Sequence, residues 1–141
     1  MTTELFSLRM NKETHDRLAA RSREIGESKS RLAQRYIEEG LRMEAHPGIF
    51  FQDGPTGRRA VVRGGPDVWQ VISITRRFDG TSDDILRETM DFTGLDQRRM
   101  NAVVRYYAEY RDEIDEWVRL NDEEGDRHYA QWLREQEVLA R

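Results

Sequence analysis

The chain of 141 residues has no cysteine, which excludes disulfide bridges and thiolate zinc sites. Lysine is scarce: it occurs only at Lys12 and Lys29, and arginine carries the remaining basic charge. No apolar run approaches the ~20 residues that span a bilayer. The first residues lack the basic-then-apolar order of a secretory signal, so a cytoplasmic protein with no membrane partner is expected. Nucleophile elbow, Walker loop and dinucleotide fingerprint are all missing, and Gly64-Gly65 is too isolated to cradle a phosphate. His15, His46 and His128 lie too far apart for metal-ligand spacing. His46, in His-Pro-Gly, reads as a turn or packing residue. Asp83-Asp84 and Asp112-Glu113 read as helix-start and solvated charges rather than catalytic dyads. No enzymatic activity, metal or cofactor is expected.

Charge is present in quantity but unevenly spread. Residues 1–44 hold nine Lys/Arg against eight Asp/Glu, and residues 45–108 hold the same numbers. Residues 109–141 hold five against eleven, so the acidity sits in the last quarter. Contact with nucleic acid must therefore come from a local patch. The tail should avoid DNA and meet solvent or a basic partner.

Hydrophobic periodicity predicts a mainly helical chain with one early strand. Residues 4–10 alternate, with Phe6, Leu8 and Met10 on one face and Leu5, Ser7 and Arg9 on the other. Asn11 is a good cap for a helix that carries Leu18 and Ile25 and stops at Gly26. Ser28 caps a second helix, about residues 29–43, with Leu32, Tyr36 and Ile37 in its apolar stripe. His46-Pro47-Gly48 marks a boundary. A hairpin is predicted from Ile49-Phe50-Phe51 and Arg59-Ala60-Val61-Val62 around Gly54 and Gly57. Helices follow at about 67–78, with Pro66 near the first turn, and at 82–91 and 96–110. A last helix, 111–138, has Gly125 as a possible interruption. Three segments result: a strand-helix-helix arm at 1–44, a hairpin-helical domain at 45–110, and an acidic amphipathic helix at 111–141.

One strand and two short helices cannot enclose their own apolar residues. Two copies can. Their strands pair antiparallel across a two-fold axis, and Phe6, Leu8, Met10, Leu18, Leu32, Tyr36 and Ile37 form a shared dimer core. The outer face of the two-stranded ribbon then projects Leu5, Ser7 and Arg9, and such a ribbon fits the major groove.

Leu8-Arg9-Met10-Asn11, then Leu18, then Ile25-Gly26-x-Ser28-Lys29-Ser30-x-Leu32 resembles the ribbon-helix-helix repressors of the Arc and MetJ class. The resemblance covers residues 4–44. It implies an intertwined dimer on double-stranded operator DNA, with Leu5, Ser7 and Arg9 reading bases. It also implies that Ser28, Lys29 and Ser30, at the start of the second helix, hold a phosphate. Leu5 stands where the family carries a polar residue; a thymine methyl is the contact that suits it.

The second region resembles a small domain that recurs in bacterial toxin-antitoxin operons beside PIN-like ribonucleases. The residues that carry this are His46-Pro47-Gly48-Ile49, Gly57-Arg58-Arg59-Ala60, Gly64-x-x-x-Val68-Trp69, and Val103-x-Arg105-Tyr106-Tyr107 leading to Glu113-Ile114-Asp115. Residues 82–109 also have helix-turn-helix spacing. The region is thus either a second DNA reader or a dimerisation and toxin-docking platform. Arg98, Arg99 and Arg105 speak for DNA, whereas Asp79, Asp83, Asp84, Asp91 and Asp96 crowd nearby and favour the platform. Tyr106 and Tyr107 read as core and interface packing.

In the last helix Trp117, Tyr129, Trp132, Leu133 and Arg134 form a candidate toxin-docking face. Arg127, Arg134 and Arg141 are candidate plugs for an acidic metal site on the toxin. Packing on the dimer mate is the competing reading of this helix. The whole is expected to be a type II antitoxin and autorepressor, a homodimer or higher, that neutralises a cognate toxin. The alternative is a stand-alone ribbon-helix-helix regulator whose C-terminal domain senses a ligand or oligomerises.

Overall fold

The computed structural model describes residues 2–54 and 57–140, leaving aside the side chains at 125, 126 and 128. The protein is mainly helical with one two-stranded antiparallel sheet, and it separates into two compact units, Met1–Arg42 and Met43–Arg141.

The first unit holds α1 (Lys12–Ile25) and most of α2 (Lys29–Ala45). Asn11 starts α1: its extended backbone lets the side-chain oxygen accept from Thr14 N at 2.8 Å. Gly26 ends it in the left-handed region, φ 71°, where a Cβ would be strained. Ser22 Oγ donates to the Glu27 carbonyl, and Glu27 N returns a bond to the Ser22 carbonyl at 3.2 Å, closing the turn. Ser28 Oγ then accepts from Arg31 N at 3.2 Å and starts α2. Residues 4–10, expected as a strand, belong to no strand or helix. The physical reason is direct: a strand is defined by its ladder, and no described residue of the same chain pairs with this segment.

The second unit begins with β1 (Ile49–Gly54) and β2 (Gly57–Val62), paired from Ile49↔Val62 to Gly54↔Gly57. Ile49, Ala60 and Val62 face the core. Gly65 allows the chain to double back against it: an added Cβ there would lie 2.7 Å from Val62 Cγ1 and 3.0 Å from Leu95 Cδ2. Helix α3 (Val68–Thr75) starts later than the sequence indicates, with Asp67 rather than Pro66 at its threshold. Asp67 N donates to Gln70 Oε1 at 3.0 Å, and the Pro66 carbonyl accepts from Val62 N at 3.1 Å. The helix also ends earlier. Val71, Ile72, Ile74 and Thr75 are β-branched and weak helix formers, and the Thr75 hydroxyl bonds back to the Ile72 carbonyl.

Helix α4 (Ser82–Thr93) opens on a reciprocal Thr81–Asp84 capping box, and Gly94 closes it at φ 76°. Helix α5 (Gln97–Glu109) is capped by Asp96, which accepts from Arg99 N at 2.9 Å. Helix α6 (Arg111–Leu139) runs through position 125 without a break. One glycine costs up to about 1 kcal/mol in a helix, too little to stop it. The core joins β1, β2, α3, α5 and the start of α6 through Val68, Val71, Met100, Val103, Tyr106 and Ile114. Val118 is the last buried residue among those described. Beyond it α6 continues for about 30 Å at 1.5 Å per residue, with no buried side chain among the described residues.

Candidate functional site

The arm presents an apolar face that its own two helices do not cover. Leu5, Phe6 and Leu8 are 96%, 75% and 61% exposed, and Tyr36, Ile37 and Leu41 on α2 are exposed as well. Helix α1 buries nothing, and the only buried residues of α2 are Leu32 and Glu39. Leu8, Met10, Leu18, Ala33, Tyr36 and Ile37 line a groove of about 560 Å³ in this unit. The structure thus brings together five of the seven residues expected in a dimer core: Leu8, Met10, Leu18, Tyr36 and Ile37. Leu32 is enclosed beside them in the sequence, and Phe6 points to solvent outside the groove lining.

Leu5, Ser7 and Arg9 are exposed in the segment that lacks a ladder, and Arg9 has no ion-pair partner among the described residues. Ser28, Lys29 and Ser30 are exposed at the start of α2, where the first amides of a helix favour an anion. Ser28 already caps the helix through its hydroxyl, so it offers a backbone amide and an oxygen rather than a free side chain. Lys29 Nζ lies 3.5 Å from His15 Nε2. Behind this turn Arg35 holds Glu27 at 2.6 Å, fixing the loop between the helices.

No protein-family model, curated protein or solved structure matches this chain.

On α6 the expected docking residues fall into two places. Trp117 is half-buried and lines a cavity of about 680 Å³ with Arg59, Asp67, Trp69 and Leu120. Trp69 Nε1 donates to Asp67 Oδ2 at 3.0 Å, and Arg59 is ion-paired with the same carboxylate. Tyr129 and Trp132 lie three turns further on, 62% and 51% exposed, with their rings stacked at 6.0 Å. Leu133 and Arg134 are exposed beside them, as is Arg127. His128 (as a side chain) and Arg141 lie outside the described residues. Arg119 bridges Glu116 at 2.5 Å and Glu123 at 2.6 Å along the same helix, and its hydrogen bond holds the Glu116 carboxyl below its ordinary value.

Two sets of partners were not legible in the sequence, although His46 itself reads there as a turn or packing residue. His46 is buried, with Tyr106 and Tyr110 edge-on at 5.2 and 5.8 Å, and its Nε2 meets Glu109. Arg99 reaches back to the Gly64 and Gly94 carbonyls at 3.2 and 3.4 Å, so it is a structural clamp. His46 and Glu109 are 63 positions apart and Arg99 and Gly64 are 35 apart, spacings that announce neither contact. Among the described residues no three His, Asp or Glu side chains could hold a metal. No described helix is long and apolar enough to cross a membrane.

Proposed function

We propose that this protein is an operator-binding autorepressor of the ribbon-helix-helix kind and the antitoxin of a toxin-antitoxin pair. The observation that carries the DNA-binding half is the uncovered groove of Leu8, Met10, Leu18, Tyr36 and Ile37 beside a segment without a ladder. A second copy satisfies both needs at once. Its residues 4–10 pair antiparallel with the first copy's, and its helices cover the groove. Burying a Leu, Ile or Met side chain contributes about 1.5–3 kcal/mol. Each is buried twice in a symmetric dimer, so the gain is enough to order a short ribbon.

The dimer then points Leu5, Ser7 and Arg9 of both copies outward. Arg9 offers a fork to guanine O6 and N7, Ser7 a donor and acceptor, and Leu5 an apolar contact for a thymine methyl. The amides at Ser28–Ser30 hold a flanking phosphate and set the depth of the ribbon. The operator is pseudo-palindromic because the reader is two-fold symmetric.

The antitoxin half rests on the resemblance of residues 46–115 and on the exposed Tyr129–Trp132 pair of α6. Large aromatics on an unsupported helix are suited to a partner's groove. In this reading the toxin is a PIN-like ribonuclease, and Arg127, Arg134 and Arg141 are the candidates to enter its acidic site. Toxin binding and operator binding are then linked, each altering the other's affinity by one factor. The cavity beside Trp69 and Trp117 favours a second reading, a stand-alone regulator whose C-terminal unit takes a small ligand. Co-expression with the neighbouring reading frame separates the two. A 1:1 or 2:2 complex supports the antitoxin; a neighbour that neither co-purifies nor inhibits growth removes it.

A further inference from the structure

Helix α5 presents a face that the arm's function does not use. Its buried side is Met100, Val103 and Tyr106; its exposed side is Gln97, Arg98, Asn101, Val104 and Arg105. Between the Asp96 cap and Glu109, at its last position, the helix has no carboxylate. Arg98 and Arg105 have no ion pair or hydrogen bond among the described residues, whereas Arg99 is spent on the Gly64 and Gly94 carbonyls. The sequence sets five aspartates against this helix. Two of them are engaged locally: Asp84 by Thr81 and Arg87, and Asp96 by Arg99. Their carboxyls are held below the ordinary value by those same bonds.

Three further observations bear on what this face meets. Helices α4 and α5 are joined by a three-residue turn, Gly94-Leu95-Asp96, with Gly94 left-handed and Leu95 buried in the core. That is the connection a helix-turn-helix requires. Beside the exposed face, Arg98, Asn101 and Arg105 line a cavity of about 220 Å³ with His46, Pro47 and Ala102. His46 is 97% enclosed, being 3% exposed, and its Nδ1 has no hydrogen-bond partner. The cavity is roomy enough to admit a phosphate with its hydration water, and Arg98 and Arg105 place two guanidinium groups in its lining.

We infer that α5 is a second DNA-reading helix, which enters the major groove of a duplex with Arg98, Asn101 and Arg105 toward base edges and backbone. The side-chain chemistry matches the groove: Arg forks to guanine and Asn or Gln to adenine, while Val104 and the small Ala108 allow close approach. A 13-residue helix is about 20 Å long, enough to cross one groove. The phosphate beside the groove is received between Arg98 and Arg105, next to His46. Glu109, at the last position of the helix, bonds His46 Nε2 and so brings one carboxylate close to the cavity, against the two guanidinium groups of Arg98 and Arg105. This reader acts independently of the ribbon, so the chain has two DNA contacts of different kinds.

The test is selection of binding sites from a random duplex pool by the full chain, alone and as Arg9→Ala, Arg98→Ala/Arg105→Ala and Asn101→Ala. The wild type should select two sequence elements. Arg98→Ala/Arg105→Ala should erase one of them, weaken binding about tenfold or more, and lower the salt slope by about 2. Asn101→Ala should relax the same element, and Arg9→Ala should erase only the other. Because both arginines are exposed, the unfolding midpoint should not move; if the double variant fails to fold, Asn101→Ala decides. A single element, untouched by the α5 changes and bound with unaltered salt slope, overturns the inference. So does millimolar inorganic phosphate that raises the midpoint through Arg98 and Arg105 while those residues leave DNA affinity unchanged, since the cavity then takes a free anion.

Discussion

His46 Nε2 lies 2.5 Å from Glu109 Oε2, tying the turn before β1 to the last residue of α5 across 63 positions of sequence. His46 is buried and Glu109 half-exposed, so the pair is a peg whose outer end reaches water. It fixes the hairpin against the helix at the point where Tyr106 and Tyr110 close over the imidazole.

His46→Ala should therefore destabilise the second unit by about 2–4 kcal/mol, through the cavity it leaves among the tyrosines. Glu109→Gln keeps an acceptor and loses only the charge, so it should cost about 1 kcal/mol. Chemical denaturation of the two variants checks the order. Equal costs would mean that the ion pair, not the packing, holds the joint.

Leu8→Asp puts a charge into the groove with Met10, Leu18, Tyr36 and Ile37. The dimer should dissociate at micromolar concentration, and operator affinity should fall with it, because each half-ribbon needs the other. Leu5→Asp, on the opposite face, should leave the dimer intact. Sedimentation of both variants separates the roles; a monomer from Leu5→Asp would invert the two faces of the strand.

Helix α6 should divide at Val118. Truncation after Leu120 should leave the unfolding midpoint of the second unit nearly unchanged and abolish toxin neutralisation, since Tyr129, Trp132 and Leu133 are gone. Truncation after Tyr110 should unfold the unit, because Ile114 and Val118 belong to its buried set. Rescue of toxin-expressing cells by the Leu120 truncation would remove the docking role from the distal helix.

Acid should loosen α4 and α5 through their caps. Bonds from Thr81 hold the Asp84 carboxyl below its ordinary 3.8, and the Arg99 backbone amide does the same for Asp96. A depressed folded-state value means that the stabilisation is complete above the unfolded value and disappears as pH falls through the folded one. Midpoints of the wild type should therefore drop below about pH 4. Asp96→Asn, which still caps but does not titrate, should drop less steeply. An unchanged slope would show that neither cap contributes through its charge.

Operator binding should depend on one arginine in the arm. Arg9→Ala should cost about 1–3 kcal/mol on the cognate duplex if its fork reads guanine. Fluorescence anisotropy at fixed salt checks this, and unchanged affinity would remove Arg9 from the reading face.

Local chemistry was the most legible part of the sequence. Asn11 and Ser28 are capping residues by side-chain type, and Gly26 is a stop because only glycine takes its left-handed backbone cheaply. What depends on distant partners was not legible. Pro66 drew the start of α3 too early, because Asp67 bridges to Val61 and Pro66 bonds β2. Phe78 lies past the end of α3 and packs edge-on against Phe92 at 6.4 Å instead. The pegs His46–Glu109 and Arg99–Gly64 join residues whose spacing carries no period. The candidate site was legible as a pattern, since alternation alone separates Phe6, Leu8 and Met10 from Leu5, Ser7 and Arg9. The groove that Leu8, Met10, Leu18, Tyr36 and Ile37 line was not, for it depends on how α1 and α2 pack on each other.

The most direct measurement mixes isotope-labelled and unlabelled protomers and records nuclear Overhauser contacts between molecules at residues 5–9. Antiparallel pairing across a two-fold axis predicts intermolecular contacts between opposite strands, with Cα atoms about 4.5–5.5 Å apart. A segment with no intermolecular contacts, or one paired with β1 or β2 of its own chain, would contradict the ribbon and the function built on it.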